Sequence, residues 1–541
     1  MSIKEFIGLD FETYSDVDLR KHGLDRYISG KDFTPLLGSL HRETSAGYTF
    51  DFVFGGTAAQ KTFLTHLEEL LGQCNAVFVA QNAGFERAVL TWMGMDPTWC
   101  RYNVIDSAVV ARAQGAGAHL ENAAAQLTSI RKLETGMALI KKFCVPNEWN
   151  NFRAPTVSLI KSTAQAEWKE FVHYCEVDAE ACAEIAREYS PDTLEHLRRE
   201  MGYERLTAEM NENGWKVDLD LVTEMKVRYE ANVAEAVGYF QKHYDPQGEL
   251  NLNSSMQLVK WCEERGIRAK SFDAEHVDAL EPRLSKKVDE MKADPGHDAG
   301  KFENYCEVLA MLRTKQIMGG SSLSKLQTIL NTVGLDGRLR NQYMHLGAGQ
   351  TYRTTGRSVQ MQNLKRLNNE PMDMDEMYDY AKDFTNDTLA ENLRQVFTSS
   401  HPDGQLIVGD FSSVESRGLA FAAGAEWKLK AFRDGKDIYK VLAERFYGAS
   451  YDTVTKDQRN QGKYSELSCG YQAGPAAVQV FLRKWGAFMT EAESAALVRA
   501  WRESNPEIVD LWARIDELLN MALRGKKTAV TNLANGLILR F

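Results

Sequence analysis

The chain has 541 residues, 44% of them hydrophobic, and a formal net charge of −11. That length exceeds one ordinary core and suggests roughly three or four domains, while the absence of any apolar run of about eighteen residues excludes an expected membrane-spanning helix. An acidic chain is a poor nonspecific nucleic-acid binder, but the charge is uneven: QTYRTTGRSVQMQNLKRLNN (350–369) has four basic residues and no acid, and acid gathers in EPMDMDEMYDYAKDF (370–384). MSIKEFIGLD lacks the basic-then-apolar pattern of a signal peptide. The eight cysteines are scattered without a CxxC pair and suit the reduced thiols of a cytoplasmic protein.

In chain order, KEFIGLDFETY and NAVFVAQNA (75–83) read as buried strands. FERAVLTWM and QAEWKEFVHYCEVDAEACAEIAREY carry apolar residues at helical spacing. This alternation predicts an α/β domain over residues 1–190, closed by the Ser190-Pro191-Asp192 break. Residues 193–335 are mostly helical by pattern. TLEHLRREMGYERLTAEMNENGW is amphipathic and stops at Gly214, NSSMQLVKWCEERGI begins with cap-type residues, and KADPGHDAGK (292–301) is a loop. From 336 to 541 the pattern mixes again, with an apolar strand LIVGD followed by helices.

The first chemical constellation lies at the N-terminus. In FIGLDFET, strand alternation puts Asp10 and Glu12 on one face and Ile7, Leu9 and Phe11 on the other. The pair alone also suits a solvent-facing strand edge. Asn82, Phe85 and Glu86 stand where a strand gives way to a helix, and Tyr174 and Asp178 lie four apart on one helical face. Taken singly, these acids also suit an ordinary helix terminus or exposed surface. As an ordered set they resemble the three exonuclease motifs of the DnaQ-like 3′–5′ proofreading domain. The resemblance covers roughly residues 1–190 and implies an RNase H-like α/β fold. It implies that Asp10, Glu12, Glu86 and Asp178 hold two divalent ions, Mg2+ or else Mn2+. Tyr174 would orient the attacking water, and Asn82 and Phe85 would contact DNA. Glu86 departs from the family, where aspartate is usual, and is one methylene longer. Asp106, in NVIDSAVV, reads as a helix N-terminal acid.

The second constellation begins at LIVGDFSSVESR (406–417): an apolar strand, Leu406 to Gly409, ends in Asp410, and Ser412 or Ser413 can cap the next helix. In RNQGKYSELSCGYQAG (459–474), Arg459, Lys463, Leu467 and Tyr471 recur every four residues, a stripe led by two cations that suits a triphosphate. Alone, these segments also read as a capped surface helix and a basic solvated face. The GK pair is not a phosphate-binding loop, because Tyr464 follows Lys463. TTGRSVQMQNLKR (354–366) adds Arg357 for a phosphate and Gln362 and Asn363 for groove hydrogen bonds. Together these segments resemble motif A, motif B and the TGR…QN segment of family A, DNA polymerase I-like DNA polymerases, in their phage form. LRQVFTSS and KDIYKVLAERFYG fit the same pattern.

The resemblance implies a right-hand polymerase. Residues 193–335 become a mostly α thumb, with NLNSSMQL and SSLSKLQT as tips at the DNA backbone, and 336–541 become an α+β palm and fingers. Asp410 would hold metal. Glu415 would crowd the sugar 2′ position and select deoxynucleotides, and Arg459, Lys463, Leu467 and Tyr471 would bind the incoming dNTP. Arg357, Gln362 and Asn363 would hold primer-template DNA, with two metal ions expected per site. Leu467 departs from the family, where an aromatic is usual.

Family A polymerases also carry a His-Asp-Glu turn, motif C, whose aspartate shares the metals of motif A. The only His-Asp pair here is in PGHDAGKF (295–302), a Gly/Pro loop, and the terminal TNLANGLILRF resembles the strand between motifs B and C. The expectation is an incomplete palm, with a second polypeptide completing it, a truncated chain, or a polymerase half that no longer catalyses. A sheet ending there would leave an open edge, with apolar surface near Leu539. Three functions stand: a replicative polymerase with proofreading, a stand-alone 3′–5′ exonuclease on an incomplete polymerase body, and a non-enzymatic DNA-binding or assembly subunit.

Overall fold

The computed structural model describes residues 5–42, 47–74, 76–187, 194–319, 322–349, 351–365, 385–401, 403–484, 487–525, 530–532 and 538–540. The Ser190-Pro191-Asp192 break, the 370–384 segment and the side chains around Leu539 lie outside the described residues. The chain forms two compact units that divide after Leu406. Among the described residues, no helix is long and apolar enough to cross a membrane.

The first unit opens with a five-stranded sheet of β1 (Glu5–Tyr14), β2 (Thr34–His41), β3 (Tyr48–Asp51), β4 (Ala76–Ala80) and β5 (Val104–Asp106), in the order β3-β2-β1-β4-β5. β2 runs antiparallel to β1, whereas β4 pairs parallel with β1 and β5 parallel with β4. Helices α1 (Gly84–Trp92), α2 (Ser107–Ala113) and α3 (Gln165–Arg187) follow β4, β5 and a long connection. Ile7, Leu9 and Phe11 enter an aromatic core with Phe63 and Phe78, and the Phe11 ring meets Phe63 edge-on at 5.2 Å. The opposite face of β1 is covered by α3. A Cβ at Gly8 would stand 1.8 Å from the Ala179 carbonyl oxygen, so only glycine permits that approach. The helix thereby brings Asp178 towards the acids of β1. Asp10 and Glu12 are 9% and 8% exposed, so the solvent-facing edge reading does not hold.

Helices dominate the next stretch: α4 (Leu194–Asn213), α5 (Leu219–Tyr244), α6 (Ala274–Ala293) and α7 (Ala299–Met318). Asp218 caps α5 by accepting from the Leu221 amide. Phe240, Leu258, Phe272 and Leu312 form the core of this helical arm. At its base, β6 (Trp215–Val217) pairs with β7 (Arg338–Leu339) and β10 (Phe397–Thr398), and β8 (Tyr343–Met344) pairs with β9 (Thr355–Gly356). Residues just after 336, expected with the palm, therefore fall in the first unit. The reason is packing: Leu339, Val359 and Leu393 share one core with Val217 and Leu221.

The second unit is built from α8 (Val414–Ala423), α9 (Glu426–Arg433), α10 (Ile438–Tyr447), α11 (Lys456–Cys469), α12 (Glu491–Ser504) and α13 (Pro506–Leu523). Leu442, Cys469, Leu482, Trp501 and Ile508 fill its core. A Cβ at Gly462 would lie 2.2 Å from the Tyr439 carbonyl oxygen, so the glycine of the GK pair serves close packing of α10 on α11. β11 (Val530–Asn532) and β12 (Ile538–Arg540) form their own antiparallel pair.

One expectation is corrected here. Residues 404–411 are not a buried strand but an irregular segment, with Ile407 99%, Val408 91% and Phe411 84% exposed. A strand is held by ladder hydrogen bonds to a neighbour, and none of the described strands pairs with this segment.

Candidate functional site

Four acids come together on the α3 side of β1. Asp10 and Glu12 sit on the strand, Glu86 in the first turn of α1 and Asp178 on α3, and each is at most 9% exposed. Arg87, the neighbour of Glu86, fixes α1 from below: it bonds both Glu204 carboxylate oxygens on α4 at 2.7 and 2.8 Å and the Val104 carbonyl. Burial, then the charge of Asp178, pushes the Asp10 carboxyl up to about 8. Burial, then Asp10, raises Glu12 and Glu86 in the same way. Burial also raises Asp178, against the lowering pull of Lys132 and the Tyr174 hydroxyl.

Three carboxylate oxygens in this cluster, Asp10 Oδ2, Glu86 Oε2 and Asp178 Oδ1, are buried with no hydrogen-bond partner. Orphaned buried acceptors are costly unless something ligates them. The acids perturb one another, yet no three ligating side chains among the described residues already close around one point. An all-oxygen set of this kind suits a hard divalent cation such as Mg2+ or Mn2+.

Tyr174, 3% exposed, lies one turn before Asp178 on the same helix. Burial and that carboxylate raise its hydroxyl far above the usual range, so it stays protonated as a donor. Its ring stacks on Phe171 at 6.3 Å.

Sequence reasoning missed a third side of the site, the loop before the Gly136–Phe143 helix. Lys132 Nζ lies 2.7 Å from Asp178 Oδ2 and 4.9 Å over the Tyr174 ring. A Cβ at Gly136 would meet the same ring at 2.2 Å. The signal was a basic residue and a glycine four apart in RKLETGM, which has no meaning until the loop is folded against α3.

Asn82 stands in the turn after β4 in the left-handed region, φ 53°, and its backbone amide donates to Asp106 Oδ1 at 2.9 Å. Asp106 also caps α2 through the Ala108 amide, as a helix N-terminal acid should. Phe85 is half-buried, its ring 6.0 Å from Tyr27. Arg357 directly follows β9, and Gln362 and Asn363 are exposed on a 3-10 turn, Met361–Asn363. Arg394, from LRQVFTSS, holds that turn through the Leu364 and Lys365 carbonyls at 2.6 and 3.0 Å.

In the second unit Asp410 is exposed in the irregular segment, and Glu415 is exposed in the first turn of α8. Ser413 does not cap α8 as expected: its φ of 52° takes it out of the extended conformation a cap needs, and its side chain makes no cap hydrogen bond. Ser412 does not take its place, because Ser413 holds the N-cap position. α11 begins with a reciprocal Thr455–Gln458 capping box. Arg459, Lys463 and Leu467 lie on it, half-buried. Tyr471 is two residues past the last helical residue, Cys469, and 59% exposed, so it belongs to the following turn and not to the helical stripe. Arg459 bonds Asp437 at 2.6 Å.

Flanking that stripe on the buried side, α11 carries a buried polar network. Lys428 Nζ lies 2.7 and 2.9 Å from the two Glu466 oxygens and 3.1 Å from Asn505 Oδ1, and Glu466 also accepts from Trp501 Nε1 at 2.9 Å and from the Ser416 hydroxyl.

Comparison with known proteins adds an independent finding. Residues 220–521 match the family described as DNA polymerase family A. A DNA polymerase of Bacillus phage SP02 is 28% identical over 541 residues, spanning 96% of this chain and 77% of that protein. DNA polymerase I of Mycobacterium tuberculosis (strain ATCC 25618 / H37Rv) is 26% identical over 295 residues, which is 53% of this chain but 28% of that enzyme. Among solved structures, the POL domain of Pol1 from M. smegmatis, in complex with DNA primer-template and dNTP, superposes with a TM-score of 0.58. That match covers 97% of this chain and 76% of the other at 15% identity, so it speaks to fold.

Proposed function

Because this chain belongs to DNA polymerase family A, we propose that it extends a primer 3′ end with deoxynucleotides and edits that end by 3′–5′ hydrolysis, in phage-type DNA replication in the host cytoplasm. The observation that carries the editing half is the buried cluster of Asp10, Glu12, Glu86 and Asp178 with three orphaned oxygens beside a tyrosine donor. Asp10, Glu12, Glu86 and Asp178 would hold Mg2+ there, with Mn2+ as a substitute and two ions as the expected complement. Bound in that place, the metal supplies Lewis acidity to the scissile phosphate and a nucleophilic water. The chain's own residues do the rest. Tyr174, permanently protonated, orients the water. Lys132 balances the clustered charge. Asn82 and Phe85 hold the unpaired 3′ nucleotides.

For synthesis, Arg459 and Lys463 on α11 supply cations to the triphosphate, Leu467 and Tyr471 flank the nucleotide, and Glu415 excludes a 2′ hydroxyl. Arg459 exchanges Asp437 for a phosphate when the nucleotide arrives. Asp410 is the palm's metal ligand, and Gln362 and Asn363 meet the primer-template. The mycobacterial structure with DNA primer-template and dNTP supports these partners by fold. No His-Asp-Glu turn follows motif B within residues 1–541.

The test is a labelled primer-template incubated with Mg2+, with and without dNTPs. Shortening without dNTPs is expected, and its absence overturns the editing reading. Extension by residues 1–541 alone would show that a carboxylate within them completes the palm. Shortening with no extension, even after a polypeptide bearing motif C is added, would leave an exonuclease on an inactive polymerase body.

A further inference from the structure

Arg357 entered as a phosphate ligand of the polymerase segment, but the fold carries it to the nuclease. Its backbone is fixed: the Arg357 amide donates to the Gln342 carbonyl at 2.6 Å, and the Val359 amide donates to Gln342 Oε1 at 3.2 Å. The β8–β9 pair beneath it is tied to the sheet domain on one side and to α4 on the other. Arg112, on α2, donates to the His345 carbonyl at 3.2 Å, and His345 Nε2 meets Glu200 at 2.8 Å. From this anchored base the guanidinium reaches Asn82, with Nη2 3.3 Å from Oδ1.

That contact is too slight to be the purpose of the side chain. It is long, exposed and made to a neutral acceptor, and it uses one of the five donors of a guanidinium. The nearby Asp106 carboxylate attracts it, but Asp106 already accepts from two backbone amides. Asn82 lies four residues before Glu86 in the turn that leads into α1, so the remaining donors of Arg357 sit beside the segment that carries one acid of the cluster. A cation there, beside Asn82 and Phe85, has the composition of a surface that tracks a single-stranded backbone.

We infer that Arg357 is part of the exonuclease's substrate surface, holding a phosphodiester of the unpaired DNA 3′ end through the face it turns to Asn82. The inference rests on the editing function proposed above and names the strand that this site receives.

The experiment uses the full chain and a fluorescein-labelled oligothymidylate. Binding is measured in EDTA against salt, and degradation is measured in Mg2+. Arg357→Gln is expected to lower the slope of log affinity against log salt by about 0.7, the value of one phosphate on a single strand. It should raise the KM for a single-stranded 3′ end about five- to tenfold with kcat unchanged. Arg357→Lys should restore the salt slope, which a merely structural role would not require. An unchanged slope and KM, a fall in kcat alone, or a loss confined to duplex primer-template would each overturn the inference. If the wild-type chain degrades nothing, the editing reading fails, while the EDTA slope still decides whether Arg357 holds a single strand.

Discussion

The buried pair behind α11 offers a sharp quantitative test. Lys428 is wholly buried and Glu466 nearly so, with 0% and 3% side-chain exposure. The ammonium donates to Glu466 Oε2 and Asn505 Oδ1 and lies 2.7 Å from Glu466 Oε1. Burial pulls the Lys428 ammonium below its usual range and the Glu466 charge only partly restores it, so the pair is held by its partners and not by solvent. Lys428→Ala leaves Glu466 buried with only the Trp501 and Ser416 donors. Breaking such a pair costs about 3–5 kcal/mol, a large part of the roughly 5–15 kcal/mol typical of a folded unit. Lys428→Met keeps the volume of the stem and isolates the electrostatic share from the cavity. Hydrogen exchange of the α11 amides should accelerate by roughly two to four powers of ten in either variant. Lys428→Met combined with Glu466→Leu should recover most of the loss, because a buried pair replaced by apolar groups is often neutral. A single-variant cost below about 1 kcal/mol, or a double variant no better than the singles, would refute the reasoning. The consequence is positional: this network ties α11, which carries Arg459 and Lys463, to Ser416 on α8.

Asp10→Ala should abolish 3′ shortening and leave oligonucleotide binding in EDTA unchanged; shortening at the wild-type rate would remove Asp10 from the site. Lys132→Ala frees an Asp178 oxygen that the ammonium now occupies at 2.7 Å, so Mn2+ should bind the DNA-free protein more tightly in a calorimetric titration. Equal affinity would mean that the ammonium does not compete with the ion. The acid cluster also predicts a pH dependence. Asp10, Glu12, Glu86 and Asp178 all have raised folded-state values, so the folded protein holds those protons more tightly than the unfolded chain. Their stabilisation is fully present below the ordinary value, 3.8 for aspartate, and is lost as pH rises, for Asp10 through about 8. The melting temperature in EDTA should therefore fall as pH rises between about 5 and 9, and saturating Mg2+ should cancel that fall, because it selects the deprotonated acids. A difference between EDTA and Mg2+ that does not grow with pH would contradict this.

The sequence by itself determined what depends on short range. The period of two in FIGLDFET placed Asp10 and Glu12 together, and the period of 3.6 put Tyr174 and Asp178 on one face. Such pairs meet wherever the element forms, because backbone geometry fixes them. Tertiary structure alone decided which distant residues joined them. Lys132 reaches Asp178 across 46 positions and Arg357 reaches Asn82 across 275, and neither distance follows from a local period. It also decided burial. The same alternation allowed Asp10 and Glu12 to face water, until α3 was admitted over Gly8 and closed that face. The apolar run at Leu406 was legible as a strand, yet a strand is stabilised by its neighbours, and none of the described strands pairs with it.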